Sequence, residues 1–367
     1  MSGHTVSAAV YGGLLAILLG AAWAKWTAEP EVELDGKVVL VAGDADDIET
    51  ITWTSEGKDD AHIERKSDDR GEYLWVTYTR YTPKPAPKPD PADGPEVPPP
   101  ADDAPADEAP DPAAETPSDA DPAAEAPEPE LVAETQVFKA GDTGQELLDA
   151  LSPLLALRKL EADPDKLETI GLTEPTEFLE IVRKGRTVKL DVGGEVYGTR
   201  DRYVRNSATG EIFLVDDELL RPLKYARTRL PDRTLWATER AKVARVTLVG
   251  GSGSLVVEQE NASDADKARW IPAGDAEVDD EQLQTWMDKA LKLKGSAYAG
   301  PDDPSDGLEE RFSLVLEPES GPSTTLKVMV DPKGGWWGES EHTRGRIKLL
   351  RAQTTSLADD IDALIGG

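Results

Sequence analysis

Few residues in this 367-residue chain could perform acid–base or metal chemistry at neutral pH. The sequence contains only three histidines, His4, His62 and His342, and no cysteine. The lack of cysteine excludes disulfides, cysteine-ligated zinc and a cysteine nucleophile. His62 and Glu64 point to the same side of a predicted strand, but a metal site needs three or four ligands and no third lies nearby in the sequence. We therefore predict no metal, no cofactor and no catalytic residue.

The abundant carboxylates do not define a site. With 72 acidic residues, coincidental pairs are certain, so paired carboxylates do not indicate glycoside hydrolysis. The acidic stretches 44–47 and 301–307 lack the alternating ligands of a calcium loop. The glycine-rich stretch 250–254 joins two predicted strands, which indicates a hairpin turn and not a phosphate loop. The net charge of −32 argues against nucleic acid as a partner, because phosphate binding requires a basic face.

One stretch, "GTRDRYVRN" at 198–206, could bind another protein. It places Arg200, Arg202 and Arg205 around Tyr203 in an otherwise acidic chain. Arginine and tyrosine are favoured at the centres of protein interfaces. The alternative is that these side chains form ordinary cross-strand pairs with neighbouring carboxylates.

A tryptophan pair, Trp336 and Trp337, could stack on a sugar. Adjacent strand residues point to opposite faces of a sheet, so one indole must be exposed or covered by a neighbouring element. The two interpretations are therefore glycan stacking and packing between parts of the protein.

The N-terminus predicts a membrane anchor. Residues 6–24 carry no charge and would span roughly 28 Å as a helix, close to the thickness of a bilayer core. Trp23 and Trp26 suit the headgroup zone, so we predict a transmembrane helix over 6–26. The alternative is a signal peptide cleaved after "AWA" at 22–24, which would leave a soluble periplasmic protein. The acidic remainder suits the outer side of a bacterial plasma membrane.

A proline-rich acidic segment occupies residues 82–130. It holds 16 of the chain's 28 prolines and has no aromatic residue. Such a composition cannot bury enough apolar surface to offset the entropy lost on ordering, so we predict disorder.

The remaining sequence predicts an α+β protein with two similar lobes of antiparallel strands and packed helices. Each lobe shows a hairpin, a tryptophan strand, "AGD", a helix, split strands, and a final strand and helix; the first of these helices is predicted over 138–161. The acidic segment is then an insertion into the first lobe, before that helix. The predicted organisation is a tail at 1–5, the membrane helix, a tether at 27–37, a first lobe at 38–240 and a second at 241–367.

Several motifs resemble a bacterial family catalogued as domain of unknown function 4340. They are a Gly-Leu-x-x-Pro turn, a glycine pair that ends a strand, and a Tyr-Val-Arg strand, here Gly171, Leu172 and Pro175; Gly193 and Gly194; and Tyr203, Val204 and Arg205. The resemblance is strongest over about residues 166–236. The second lobe lacks the first and third motifs.

The resemblance implies a single-pass membrane protein with an extracytoplasmic domain, of a kind often encoded beside gliding-motility-type ABC transporter subunits. It implies no catalytic residues. We therefore expect a noncatalytic accessory subunit that contacts membrane subunits of an ABC-type transporter. An envelope glycan-binding module and a hydrolase are the alternatives.

Overall fold

The structure is a computed structural model, and it describes most of the chain beyond the N-terminus. The described residues are 33–34, 36–84, 130–161, 163–262, 264, 267–274, 278 and 280–365. The predicted tail and membrane helix, and nearly all of the predicted disordered insertion, lie outside this set. Within it, no helix is long and apolar enough to cross a bilayer.

The described residues form twenty strands and five α-helices. The strands are β1 Glu33–Leu34, β2 Lys37–Val41, β3 Ile48–Ser55, β4 Asp59–Asp68, β5 Gly71–Pro83, β6 Leu131–Lys139, β7 Leu154–Ala156, β8 Arg158–Leu160, β9 Glu177–Arg183, β10 Arg186–Glu195, β11 Arg202–Asn206, β12 Ile212–Val215, β13 Val243–Gly250, β14 Gly253–Glu260, β15 Arg269–Pro272, β16 Gly295–Tyr298, β17 Glu309–Pro318, β18 Thr324–Val330, β19 Trp336–Ser340 and β20 Ile347–Leu349. The helices are α1 Asp142–Ala150, α2 Asp217–Lys224, α3 Ala226–Arg229, α4 Asp280–Leu291 and α5 Arg351–Ile365.

These strands assemble into two large antiparallel sheets and one small one. The first sheet has nine strands in the order β6-β5-β4-β3-β9-β10-β11-β12-β8, and the second has eight in the order β15-β14-β13-β17-β18-β19-β20-β16. A three-stranded sheet, β1-β2-β7, completes the set. The predicted α+β class, rich in antiparallel strands with few helices, is confirmed.

The two large sheets share one element order. In each, a three-stranded meander leads to a helix, then to a short strand at the opposite edge, then to four further meandering strands and a final helix. Strand β5 corresponds to β15, β8 to β16, and β12 to β20. The chain passes from the first sheet to the second between β12 and β13.

The first sheet has one strand without a counterpart, β6. It pairs with β5 in continuous register from Trp75↔Lys139 to Pro83↔Leu131. The described residues stop at Lys84, just after β5, and start again at Glu130, just before β6. The acidic segment therefore connects two paired strands; the sequence had placed it directly before a helix.

The helix predicted over 138–161 is wrong in extent. Helix α1 covers only Asp142–Ala150, and the chain then turns at Ser152 and Pro153 into β7 and β8. Proline lacks the N–H needed to continue a helix and its ring disfavours helical geometry before it. Leu154 is 1% exposed in β7, so its apolar character reflects a buried strand.

The core lies where the large sheets bury one face against helices. Strand β3 buries every second residue over Ile51, Trp53 and Ser55, the period of a half-buried strand. Helix α5 buries Leu357 and Ile361, which lie on one side of a helix at a spacing of four. Each fully buried aliphatic side chain stabilises the fold by about 1.5–3 kcal/mol.

Candidate functional site

A polar cleft of about 520 Å³ opens where the first sheet meets the turn after β19. Ligand sites of small molecules fall in this size range and often lie between structural units. The cleft is lined by charged, polar and aromatic side chains, among them Arg65, Glu72, Tyr73, Gln145 and Trp236.

Four polar side chains meet at the bottom of this cleft. Lys139 ends β6, Asp232 and Thr234 follow α3, and His342 follows β19. Lys139 Nζ lies 2.8 Å from Asp232 Oδ2 and 3.0 Å from His342 Nε2. Asp232 Oδ2 lies 2.8 Å from His342 Nε2. Thr234 Oγ1 donates to Asp232 Oδ1 over 2.6 Å and lies 2.9 Å from His342 Nε2.

The electrostatics of the cluster keep Asp232 ionised. Burial alone would raise the pKa of this carboxyl, but hydrogen bonds from His342, Lys139 and Thr234 outweigh burial and hold its pKa well below the usual range. The carboxylate thus neutralises Lys139, which is only 9% exposed. A buried cation of this kind requires a paired anion.

The arrangement does not match a nucleophile relay. In a hydroxyl–histidine–carboxylate triad the acid holds one ring nitrogen and the hydroxyl meets the other. Here Asp232 and Thr234 both approach Nε2 of His342. The hydroxyl also donates to the carboxylate, so the histidine is not set between them as a base. Among the described residues, no three potential ligands are grouped to hold a metal ion.

The cluster joins the two large sheets, and further contacts extend this junction. Arg344 donates to both carboxylate oxygens of Asp68, over 2.6 and 2.9 Å, and its guanidinium lies 4.0 Å from the ring centre of Tyr73. The hydrogen bond from Arg344 holds the pKa of Asp68 at about 2. Gln136 donates to the carbonyl of Tyr298 over 2.6 Å. The cleft therefore sits on a junction that is polar and hydrogen-bonded.

The predicted contact patch is divided by the structure. Arg202 is buried and paired with Glu177 at 2.5 Å, and Arg205 makes a two-pronged contact with Asp191 at 2.9 and 2.6 Å. These two arginines match the alternative of cross-strand pairing, and they are not available for docking. Tyr203 is half-buried in β11 and pairs with Leu214 across the strands.

The exposed part of this stretch is the turn between β10 and β11. Arg200 is exposed there, and Tyr197, which the sequence analysis did not select, is fully exposed. Hydrogen bonds from Val196 N to Asp201 O over 2.8 Å and from Thr199 to Asp201 hold the turn. The sequence signal that could have found Tyr197 is an aromatic residue directly before the turn glycine.

The tryptophan pair does not fit glycan stacking, which is a correction to that prediction. Trp336 is 8% and Trp337 1% exposed, so neither ring face is open to a sugar. Trp336 Nε1 donates to Thr355 of α5 over 3.0 Å. Trp337, on the other face, donates to Asp331 over 3.0 Å and lies below Lys348, 5.2 Å from its ring centre.

His62 lies away from the cleft. Its Nδ1 is 2.9 Å from Thr52 Oγ1 across β3 and β4, where Thr52 and His62 are directly opposite. It forms an ordinary cross-strand pair.

The family-like motifs meet in space. The turn at Gly171 packs on the glycine pair of β10: Gly194 N donates to Ile170 O over 2.8 Å, and Leu172 is fully buried beside it. Arg202 Nε donates to Gly193 O over 2.9 Å. The motifs thus build one packed corner of the first sheet.

Residues 141–310 match the model of a family described as Domain of unknown function (DUF4340), which confirms the resemblance. The match begins just after β6 and covers parts of both large sheets. No curated protein and no solved structure matches the chain.

Proposed function

This chain belongs to the DUF4340 family, and on that premise we propose that it is a noncatalytic, membrane-anchored extracytoplasmic accessory subunit of an ABC-type transporter complex. Its anchor is the apolar segment at 6–26, and its folded part contacts membrane subunits of the transporter. The matching element order of the two sheets supports an internal duplication, with lobes at 38–240 and 241–367.

One observation supports docking above the others: the turn that presents Tyr197 and Arg200. Tyr197 buries none of its side chain against the described residues, and Arg200 has no carboxylate partner among them. A single exposed aromatic side chain is common on protein surfaces, so the support comes from its combination with Arg200 on one turn. Tyrosine and arginine contribute most of the binding energy at many interfaces. We name residues 196–201 the docking turn.

The polar cleft supports a noncatalytic role. Its histidine, lysine and carboxylate satisfy one another, with both acid and hydroxyl at one histidine nitrogen. A catalytic base needs a free position toward its substrate. The cluster instead stabilises the junction of the two sheets, which fixes the shape that a docking subunit presents.

The test is a pull-down of the full chain from membranes in mild detergent, followed by identification of the captured proteins. We expect ABC transporter membrane subunits, and we expect their recovery to fall about tenfold or more for Tyr197→Ala with Arg200→Ala, in line with the loss of two central contacts. The matched control is Thr209→Ala with Lys184→Ala, which alters two other exposed turns. Capture of no transporter subunit by the unaltered chain, or equal capture by the docking-turn variant, contradicts the proposal.

A further inference from the structure

A basic surface stands out in this acidic protein. The stretch 221–242 contains seven lysines and arginines against two carboxylates, whereas the chain as a whole has a net charge of −32. Four of these cations have carboxylate partners: Arg221, Lys224, Arg240 and Lys242. The other three are Arg227, Arg229 and Arg233.

These three arginines are exposed and lack carboxylate partners within the described part of the chain. Arg233 donates only to the carbonyl of Thr228, over 3.3 Å. Exposed Lys294 extends the patch, because the next residue, Gly295, donates to the carbonyl of Arg233 over 2.8 Å. We call these four residues the basic surface.

The basic surface lies close to the end of the β5–β6 ribbon. Arg227 lines the same cleft as Arg80 and Glu134, which pair directly across β5 and β6. Arg80 is three residues before Pro83, where β5 ends, a distance of roughly 10 Å along a strand. The chain leaves the described structure after Lys84 and re-enters it at Glu130.

The segment between those two points is strongly acidic. Residues 85–129 contain thirteen carboxylates and one lysine. A chain of that length, at up to roughly 3.3 Å per residue, reaches the basic surface with ample slack. Since both of its ends are fixed beside the surface, its carboxylates are present there at an effective concentration on the order of millimolar.

We propose that the acidic segment 85–129 docks on the basic surface of its own chain. Charge complementarity favours this occupant, because the segment is negatively charged, the surface is positively charged, and the segment is tethered next to the surface. A separate anionic partner would have to compete for the basic surface with thirteen carboxylates that are tethered beside it. An anionic lipid surface is repelled by them. The contact is electrostatic, so it depends on salt.

The proposal is tested by energy transfer within the full chain. The sequence has no cysteine, so Ala104→Cys in the segment and Thr228→Cys on α3 give two unique labelling positions. We expect transfer to be high in about 50 mM salt and to fall by roughly half or more in about 500 mM salt, because the Debye length shrinks from about 14 to 4 Å.

Reversing the charge of the arginines then tests whether the acidic segment binds the basic surface. We expect Arg227→Glu, Arg229→Glu and Arg233→Glu together to lower the transfer at low salt to the high-salt value. The matched control reverses three other exposed cations for which no carboxylate partner is found among the described residues: Arg158→Glu, Arg186→Glu and Lys327→Glu. It keeps the total charge change equal, and we expect it to leave the transfer unchanged.

A second variant keeps the basic surface intact. Replacing the thirteen carboxylates of 85–129 by asparagine and glutamine should lower the transfer as the arginine reversal does. Equal transfer in the unaltered chain, the arginine reversal and the control overturns the proposal. A second result would also overturn the proposal: the three arginines are required for binding to phosphatidylglycerol vesicles but not for the energy transfer. In that case the basic surface binds lipid and not the acidic segment.

Discussion

The glycine pair of β10 gives a sharp prediction about the corner built by the family motifs. A Cβ at position 193 would overlap the carbonyl oxygen of Ile170 and lie 2.9 Å from Cγ of Leu172. At position 194 the nearest atom, the same carbonyl oxygen, would be 3.5 Å away, an ordinary contact. We therefore expect Gly193→Ala to be damaging and Gly194→Ala to be tolerated.

The magnitude follows from the packing. Overfilling a packed site costs about 1–3 kcal/mol. The displaced turn also weakens the hydrogen bond from Gly194 N to Ile170 O, worth about 1 kcal/mol. Gly193→Ala should thus lower the free energy of unfolding by about 3 kcal/mol, which corresponds to a fall in Tm of about 6–12 °C. Gly194→Ala should stay within about 1 kcal/mol.

The assay is urea unfolding of both variants, followed by tryptophan fluorescence and circular dichroism. The adjacent glycine is the control, since both variants add one methyl group to the same strand. If the two variants lose equal stability, or if Gly193→Ala loses none, the described approach of the Gly171 turn to β10 is wrong.

Three further changes test other contacts. Asp232→Asn should cost about 3 kcal/mol at neutral pH, because Lys139 is left buried without a counter-charge. Folding lowers the pKa of Asp232, so its ionised carboxylate stabilises the fold at pH values above its unfolded pKa, and this stabilisation is lost as the pH falls below about 4. The difference in unfolding midpoint between Asp232→Asn and the unaltered protein should therefore become smaller in acid. A difference that stays constant with pH would contradict this. Trp337→Phe should cost about 2 kcal/mol, since an aromatic ring remains but the indole N–H and its hydrogen bond to Asp331 are lost, whereas Trp337→Ala should cost about 4 kcal/mol because most of the buried packing is lost as well; no loss in Trp337→Phe would argue against that bond. Arg205→Lys should cost about 1–2 kcal/mol in urea unfolding, because lysine cannot reproduce the two-pronged contact with Asp191, and no loss would show that the contact does not matter.

Local patterns in the sequence predicted much of the fold. The hairpins at β3–β4 and β13–β14 followed from alternating apolar residues, because one face of each strand is buried. The order of strands and helices in the two halves could also be predicted from the sequence. Strand β6 was missed, since residues 131–135 are exposed on both faces and show no alternation. Helix α1 was extended too far, because the apolar run after it suits a buried strand as well as a helix.

The candidate site was less predictable, for a physical reason. Lys139, Asp232 and His342 are far apart in the sequence, and only the packing of the two sheets brings them together. The arginines around Tyr203 were selected by composition, yet strand pairing assigns Arg202 and Arg205 to internal carboxylates. The exposed side chain is that of Tyr197, which lies outside the strands and therefore has no cross-strand neighbour to cover it.

The most direct test of the docking function is photo-crosslinking in intact cells. A photoreactive phenylalanine derivative replaces Tyr197 in the full chain, and another chain has it at Thr209 as the control. The account predicts a crosslink from position 197 to a membrane subunit of an ABC-type transporter and none from position 209. No crosslink from position 197, or the same products from both positions, would contradict it.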